Sequence, residues 1–292
     1  MTMNEVLKES IARKYAVGAF DTMDHTFTEA ILRAAEAKGT PIILMVIDLI
    51  YTMPNYDRFF KYLVDRCERA SVPVALQLDH GSSFEAIMKS IRYGCTSVML
   101  DGSSLPFEQN IAATRKVCEA AHACGVSVEG EIGHVSGHEG NMLDGNIADS
   151  TAYTKVEEAV LFVRETNVDA LAIAIGTVHG VYKGVPNLDF DRLHEIRKAV
   201  TVPLVMHGGS GLSPETFRLA IQNGINKINF FTGMSLGASE AAKKIIEERK
   251  GKLHFSEIVA AGMNRATEIV SEHIDIFGTQ PLSSEYKIKT NV

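Results

Sequence analysis

The chain has 292 residues, 46% of them hydrophobic and 22% charged, with a formal net charge of −7. That length suits one (β/α)8 barrel of about 250 residues, with enough apolar material for a large core that needs no disulfide or metal staple. The acidic balance speaks against a nucleic-acid partner, while leaving room for a local positive site on an anionic substrate. The N-terminal MTMNEVLKESIARKYAVGAF lacks the apolar run of a signal peptide, and no stretch approaches the roughly 18 apolar residues of a membrane span. Cys67, Cys95, Cys118 and Cys124 form no CxxC and read as reduced thiols of a cytoplasmic protein with no membrane partner.

In chain order the predicted strands are 16–20 (AVGAF), 42–47 (IILMVI), 72–78 (VPVALQL), 97–100 (SVML), 126–131 (VSVEGE), 169–175 (DALAIAI), 202–206 (VPLVM) and 225–231 (INKINFF). Helical patterns lie between them, among them FTEAILRAAEAKG, YDRFFKYLVDRCERA, FEAIMKSIRYG and FEQNIAATRKVCEAAHACG. Three of these close on Gly, the usual residue just past a helix end. Near-continuous apolar strands alternating with helices indicate a parallel sheet covered on both faces. Eight such units without a linker predict an α/β fold, a single-domain (β/α)8 TIM barrel over 1–292. Residues 132–153 form a Gly- and Asp-rich stretch without periodicity, and a loop this long inside a compact domain is usually functional, often a lid. Helical character follows the eighth strand, and a loose tail is expected over about 280–292.

Functional side chains of such a barrel sit where strands end at the C-terminal face. Strand 3 ends in Asp79-His80-Gly81, strand 4 in Asp101-Gly102-Ser103 and strand 5 in Glu129-Gly130-Glu131. Strand 6 leads into Gly176-Thr177-Val178-His179-Gly180, strand 7 into His207-Gly208-Gly209-Ser210-Gly211, and strand 8 into Asn229-Phe230-Phe231-Thr232. One histidine in such a place is more often structural. Three on one rim would hold a divalent ion and leave positions open for water or substrate, the pattern of a catalytic site. Nitrogen donors favour Zn²⁺, with other first-row ions allowed. His122, His194, His254 and His273 fall in helical patterns and read as packing or surface residues. His134 and His138 lie in the long loop and are candidates for touching substrate, and His25 follows strand 1 without a clear role.

HGGSGLSPETFRLA reads as strand, glycine loop and a helix opened by Ser213-Pro214, an arrangement that exposes backbone N–H groups to an anion. A glycine-rich turn alone is weak evidence, but barrels often build a phosphate site from the loops after strands 7 and 8, and NFFT opens another helix there. Asp79 reads as either a buried orienting group or a general acid/base. Glu139 sits in the long loop, where a solvated charge is the default. Asp101 and Glu131 are either structural hydrogen-bond partners or ligands of a second metal position.

Together QLDHG (77–81), SVMLDGS (97–103), VEGEIGHVSGHEG (128–140), LAIAIGTVHGVY (171–182), VPLVMHGGSG (202–211) and INKINFFT (225–232) resemble the class II, metal-dependent ketose-bisphosphate aldolases. The resemblance runs over about residues 3–278 and covers fructose- and tagatose-bisphosphate aldolases. It implies His80, His179 and His207 as ligands of a catalytic Zn²⁺, and Asp79 as the acid/base at the C4 hydroxyl. It implies Glu139 as the loop glutamate that moves a proton at C1 of the dihydroxyacetone phosphate half. Asp101 and Glu131 would hold a second or displaced metal. Gly180, Gly208, Gly209, Ser210, Asn229, Phe230, Phe231 and Thr232 would bind phosphate, with a monovalent cation (Na⁺ or K⁺) nearby. The implied reaction is reversible cleavage of a ketose 1-phosphate or ketose bisphosphate to dihydroxyacetone phosphate and an aldehyde, by a homodimer or homotetramer.

Three positions depart from that pattern and are candidate specificity residues. Asp21 stands where the family usually carries Asn, Asp48 where many members have a small pocket, and His134 where arginine or a small residue is commoner. Two carboxylates facing the aldehyde half would repel a phosphate dianion, so the expectation is either an aldehyde without a terminal phosphate or a charge offset by another residue, unless one or both acids point away. A metal-dependent isomerase or hydrolase on the same barrel would place His-x-His after strand 1, which is absent. A non-catalytic aldolase-like subunit would be expected to lose Asp79, a histidine or Glu139, and all are present.

Overall fold

The computed structural model describes residues 1–135, 150–180, 182, 184 and 186–283. Eight strands form the wall: β1 (Val17–Asp21), β2 (Ile42–Ile47), β3 (Val74–Gly81), β4 (Ser97–Leu100), β5 (Ser127–Ile132), β6 (Ala170–Ile173), β7 (Leu204–Met206) and β8 (Ile225–Asn229). Each pairs in parallel with the next, and β8 closes on β1 through Val17–Lys227, Gly18–Ile228 and Ala19–Asn229. Helices α1 (Met3–Leu7) and α2 (Ser10–Arg13) precede the barrel. Seven more follow the first seven strands: α3 (His25–Lys38), α4 (Tyr56–Glu68), α5 (Phe84–Arg92), α6 (Phe107–Ala123), α7 (Val156–Thr166), α8 (Phe190–Ala199) and α9 (Pro214–Gln222). After β8 come α10 (Thr232–Glu248) and α11 (Phe255–Phe277). The architecture is the expected (β/α)8 barrel with extra C-terminal helices. No helix among the described residues is long and apolar enough to cross a membrane.

Strand alternation sorts the core into two bodies. Leu44, Val46, Leu76, Leu78, Val98 and Ile228 point outward into a sheath of helices that also buries Phe60, Phe162, Phe217 and Phe277. Fully burying one such side chain stabilises by about 1.5–3 kcal/mol. The inward set is smaller: Val17, Ala19, Ile43, Met45, Ala75, Ala170, Ala172 and Val205, closed at one end by Met3, Val6, Leu7 and Tyr15. Helix α1 therefore plugs the barrel at the N-terminal ends of the strands. Its exposed amides are taken up there, Met3 N donating to Ser97 Oγ (2.7 Å), Asn4 N to Ser127 Oγ (3.2 Å) and Glu5 N to Thr2 Oγ1 (3.2 Å). The sequence pattern showed only a charged terminus; the signal was the apolar 3, 6, 7 spacing.

Strands β2 and β4 occupy the predicted residues, and the others shift at their ends. β6 stops at Ile173 because the next peptide groups pair elsewhere. Ala174 N donates to Thr154 Oγ1 (2.9 Å), and Ile175 O accepts from Asp189 N (2.9 Å). β3 instead runs on to Gly81, through a register shift against β4 between Leu78 and Gly81. That irregularity shapes the site.

Candidate active site

Ala75, Gln77 and Asp79 follow the two-residue alternation into the barrel, which would turn His80 outward into the helices. The bulge prevents this. His80 adopts φ +45°, a left-handed conformation unusual for a non-glycine residue, and its ring swings to the barrel mouth. There it stands edge-on to His179 and His207, with ring centroids 5.0 Å and 4.8 Å away. His179 is carried by the loop after β6, and His207 by the residue after β7. One nitrogen from each of the three rings lies within 4.8 Å of the others.

Hydrogen bonds define which nitrogens those are for His80 and His207. Asp101 Oδ2 lies 3.0 Å from His80 Nδ1, and Glu129 Oε1 lies 2.8 Å from His207 Nε2. An ionised carboxylate only accepts, so each of these ring nitrogens donates its hydrogen. His80 Nε2 and His207 Nδ1 are left facing each other at 3.0 Å. Metal-binding histidines are commonly held in this way, with the far N–H given to a carboxylate.

The carboxylates differ in surroundings. Asp101 also accepts from Ser103 N and Oγ, at 3.1 Å and 2.7 Å. Burial alone would raise its pKa, but the hydrogen bond and charge of His80 hold it well below the ordinary range. For Glu131, burial together with nearby Asp101 outweighs the charges of His207 and His80 and pushes it up to about 7. Burial opposes charge on His80, yet Asp79, the Asp101 hydrogen bond and Glu131 carry it well above the usual histidine value. Asp79 is fully buried: its Oδ1 accepts from Asn229 Nδ2 at 3.0 Å, and its Oδ2 lies 3.7 Å from His80 Nε2. Asp79 Oδ2 and Glu131 Oε2 have no hydrogen-bond partner among the described residues. Polar atoms so placed, beside three imidazoles, suit a site built around a cation.

Above the cluster opens a cavity of about 400 Å³, whose wall includes Asp48, Ser82, His80, Asp101, Glu131, His134 and His179. Asp48 accepts from Ser82 N (2.8 Å) and from the Ser82 hydroxyl, which fixes its carboxylate at the wall. His134 is exposed there and donates its N–H to Ala152 O (2.9 Å). Asp21, expected to face the aldehyde half, is instead buried at the end of β1 and does not line this cavity. Glu139 and His138 lie outside the described residues.

The glycine loops come together on the other side of the histidines. Gly180 and Gly208 have φ +81° and +70°. A Cβ on Gly208 would meet the backbone of Val178 at 2.4 Å, and Tyr182 OH donates to Gly208 O at 2.7 Å, so the loops after β6 and β7 abut. Gly209 is packed against Asn229 O, and Gly233 N donates to Ser210 Oγ (3.0 Å), joining the β7 loop to the start of α10. Thr232 begins α10 and is buried. Asn229 ends β8, and Phe231 is the N-cap of α10. The Asn229 amide is engaged inside the barrel by Asp79 and Lys227. The Phe230 ring packs on Phe20, Phe217 and His273, and its N–H goes to Ala19 O (2.9 Å). Phe231 stands against Phe27. The remaining histidines lie away from the cluster: His25 against Phe59 and Tyr62, His122 on Asp169, and His254 as the N-cap of α11.

Sequence reasoning missed Lys227 and gave Glu129 no role. Lys227 is fully buried and donates to Glu129 Oε2 (2.8 Å) and Asn229 Oδ1 (2.7 Å). Gln77 Nε2 also donates to Glu129 Oε2 (2.9 Å). The available signal was a lone lysine between the two isoleucines of β8.

Known proteins align with this geometry along nearly the whole chain. The family described as fructose-bisphosphate aldolase class-II matches residues 1–281. A probable fructose-bisphosphate aldolase from Bacillus subtilis is 42% identical over 285 residues, spanning 96% of this chain and 98% of its own. The fructose-bisphosphate aldolase of Geobacillus stearothermophilus is 38% identical over 285 residues, spanning 96% and 97%. Among solved structures, the YdjI aldolase from Escherichia coli superimposes with a TM-score of 0.83 at 30% identity, over 95% of this chain and 97% of that one. The barrel, the strand-end histidines and these matches agree: the chain belongs to the class II fructose-bisphosphate aldolase family, whose members are carbon–carbon lyases.

Proposed function

We propose that this protein is a Zn²⁺-dependent aldolase that reversibly cleaves a ketose 1-phosphate or ketose bisphosphate to dihydroxyacetone phosphate and an aldehyde. The observation that carries the reading is the convergence of His80, His179 and His207 beside a buried, unpartnered oxygen of Asp79. Three imidazole nitrogens suit Zn²⁺ and leave room for substrate oxygens. A divalent ion bound there supplies Lewis acidity, polarising the ketose carbonyl and offsetting the charge left as the C3–C4 bond breaks.

The chain's own groups do the rest. Asp79, held at Oδ1 by Asn229, is the base for the C4 hydroxyl proton and returns it in the condensation direction. Glu139 is assigned the proton at C1. The backbone of Gly180, Gly208 and Gly209, with Ser210, Thr232 and the start of α10, receives the C1 phosphate beside a Na⁺ or K⁺ ion. Asn229, Phe230 and Phe231 support that site from within rather than through their side chains. Fixing the phosphate orients the reacting carbons. Asp101 and Glu131 stand where a second or displaced ion would bind with His80. A homodimer or homotetramer in the cytoplasm belongs to the same proposal.

One observation refines the aldehyde half. The described cavity wall carries Asp48, Asp101 and Glu131 but no Lys or Arg. This favours a hydroxylated aldehyde without a terminal phosphate. Metal analysis followed by chelator-sensitive release of dihydroxyacetone phosphate tests the main reading, and cleavage by a metal-free preparation overturns it. Comparing kcat/KM for a ketose 1-phosphate with that for the 1,6-bisphosphate tests the refinement, which a clear preference for the bisphosphate removes.

A further inference from the structure

The interior of the barrel holds a charged pair that the reaction does not require by contact. Lys227 and Glu129 are both fully buried, and neither lines the cavity. A lysine takes such a place only with a partner, because its ammonium loses water on every side. Lys227 Nζ touches Glu129 Oε2 (2.8 Å), Asn229 Oδ1 (2.7 Å) and Met45 Sδ (3.8 Å). Gln77 Nε2 adds a second donor to Glu129 Oε2. With Oε2 claimed twice, Oε1 is left for His207 Nε2, at 2.8 Å.

We propose that Lys227 and Glu129 are positioning residues: their buried ion pair fixes the His207 ring with Nε2–H turned inward and Nδ1 presented to the divalent ion. A neutral imidazole offers one lone pair, and the hydrogen bond made by its other nitrogen decides which. A carboxylate in that role also strengthens the ligand nitrogen as a donor to metal. Without the ammonium, Glu129 keeps only the Gln77 amide to hold Oε2, and Oε1 loses its aim at His207. The second branch, from Lys227 through Asn229 to Asp79, ties the same ammonium to the proposed base. This inference rests on the reading of His80, His179 and His207 as metal ligands.

The test uses full-length Lys227→Met, Glu129→Gln, the double variant and His207→Ala. Zn²⁺ affinity is measured by chelator competition, the visible spectrum is recorded on Co²⁺-loaded protein, and metal-free proteins are melted. Lys227→Met and the double variant should bind Zn²⁺ about 10–100-fold more weakly, with shifted cobalt bands. The double variant leaves no unpaired buried charge and should melt near the wild type, so its loss of affinity is not a loss of fold. If it melts normally, binds Zn²⁺ as tightly as the wild type and keeps the cobalt spectrum, the proposal is overturned. Should Lys227→Met fail to fold, the double variant decides alone. His207→Ala separates the two readings. Undiminished binding there removes the ligand assignment itself, whereas loss there with none in the double variant removes only the present inference.

Discussion

Replacing Gly208 by Ala tests whether the loops after β6 and β7 are locked together. Gly208 directly follows His207 at φ +70°. That left-handed conformation costs an L-residue with a Cβ about 1–2 kcal/mol. The added Cβ would lie 2.4 Å, 2.7 Å and 3.0 Å from the O, C and N of Val178, all of them backbone atoms without a flexible end to swing away. Ordinary carbon contacts begin at about 3.5 Å, so the loops must part by roughly 1 Å. Overpacking of this kind costs about 1–3 kcal/mol, giving a total of roughly 2–5 kcal/mol. At about 2–4 °C per kcal/mol, the metal-free protein should melt roughly 4–20 °C lower. Val178 precedes His179, whose ring now stands 5.0 Å and 5.8 Å from those of His80 and His207. A displacement of about 1 Å at a reacting centre costs about 10²-fold in rate. Gly39→Ala is the control, because Gly39 has φ +65° but open space around its missing Cβ. It should lower melting by the conformational cost alone and leave activity intact. If Gly208→Ala melts no lower than Gly39→Ala and retains wild-type kcat/KM, the contact with Val178 is not rigid and does not place His179.

Asp79→Asn keeps the side chain's size while removing its proton acceptor, so kcat should fall about 10²–10⁴-fold with Zn²⁺ affinity retained; an unchanged kcat removes Asp79 from that role. Asp48→Ser takes one fixed carboxylate from the cavity wall, relieving about 1 kcal/mol of repulsion or more. The ratio of bisphosphate to 1-phosphate kcat/KM should therefore rise about fivefold or more, and a constant ratio counts against electrostatic exclusion. In metal-free protein Glu131 is pushed up from 4.5 to about 7, and His80 well above 6.5. The folded state then binds protons that the unfolded chain has released, so stability falls as pH rises, from about 4.5 to 7 for Glu131 and above about 6.5 for His80. Melting should be lower at pH 8 than at pH 6, and Glu131→Gln should flatten the lower part of the curve. A metal-free protein that melts higher at pH 8 contradicts the assignment.

How much of this was legible in the sequence depends on which atoms carry each feature. Apolar runs and closing glycines located all eight strands, because burial on both faces of a parallel wall leaves a continuous hydrophobic imprint. Strand ends were less legible where side chains compete with the ladder, as Thr154 does at Ala174. Strand-end position alone brought His80, His179, His207 and Asp79 into view as a group. The direction of the His80 ring was invisible, since strict alternation sends it outward and only the bulge with φ +45° turns it to the mouth. Asn229 and Phe230 show the converse limit. Their place at the end of β8 suggested anion contacts, while the partners of their side chains, Asp79 and Phe20, lie far off in sequence and left no local signal. Asp21 and Asp48 looked equivalent as departures, and only Asp48 reaches the cavity wall.

That difference narrows how substrate selection can work. On the proposed reading, one side of the histidine cluster offers backbone amides from glycine loops and the start of the 17-residue helix α10, a favourable place for a dianion. The other side presents Asp48, Asp101 and Glu131. A ketose with one phosphate has a single orientation that satisfies both sides, with its charged end in the loops and its hydroxylated end against carboxylates that accept hydrogen bonds. A bisphosphate must bring its second dianion toward the acids whichever way it enters. Selection here would come from the repulsive wall rather than from a tighter grip on the preferred sugar, since both substrates present the same C1 phosphate to the same loops. The carboxylate that matters most is then Asp48, because Ser82 pins it in place.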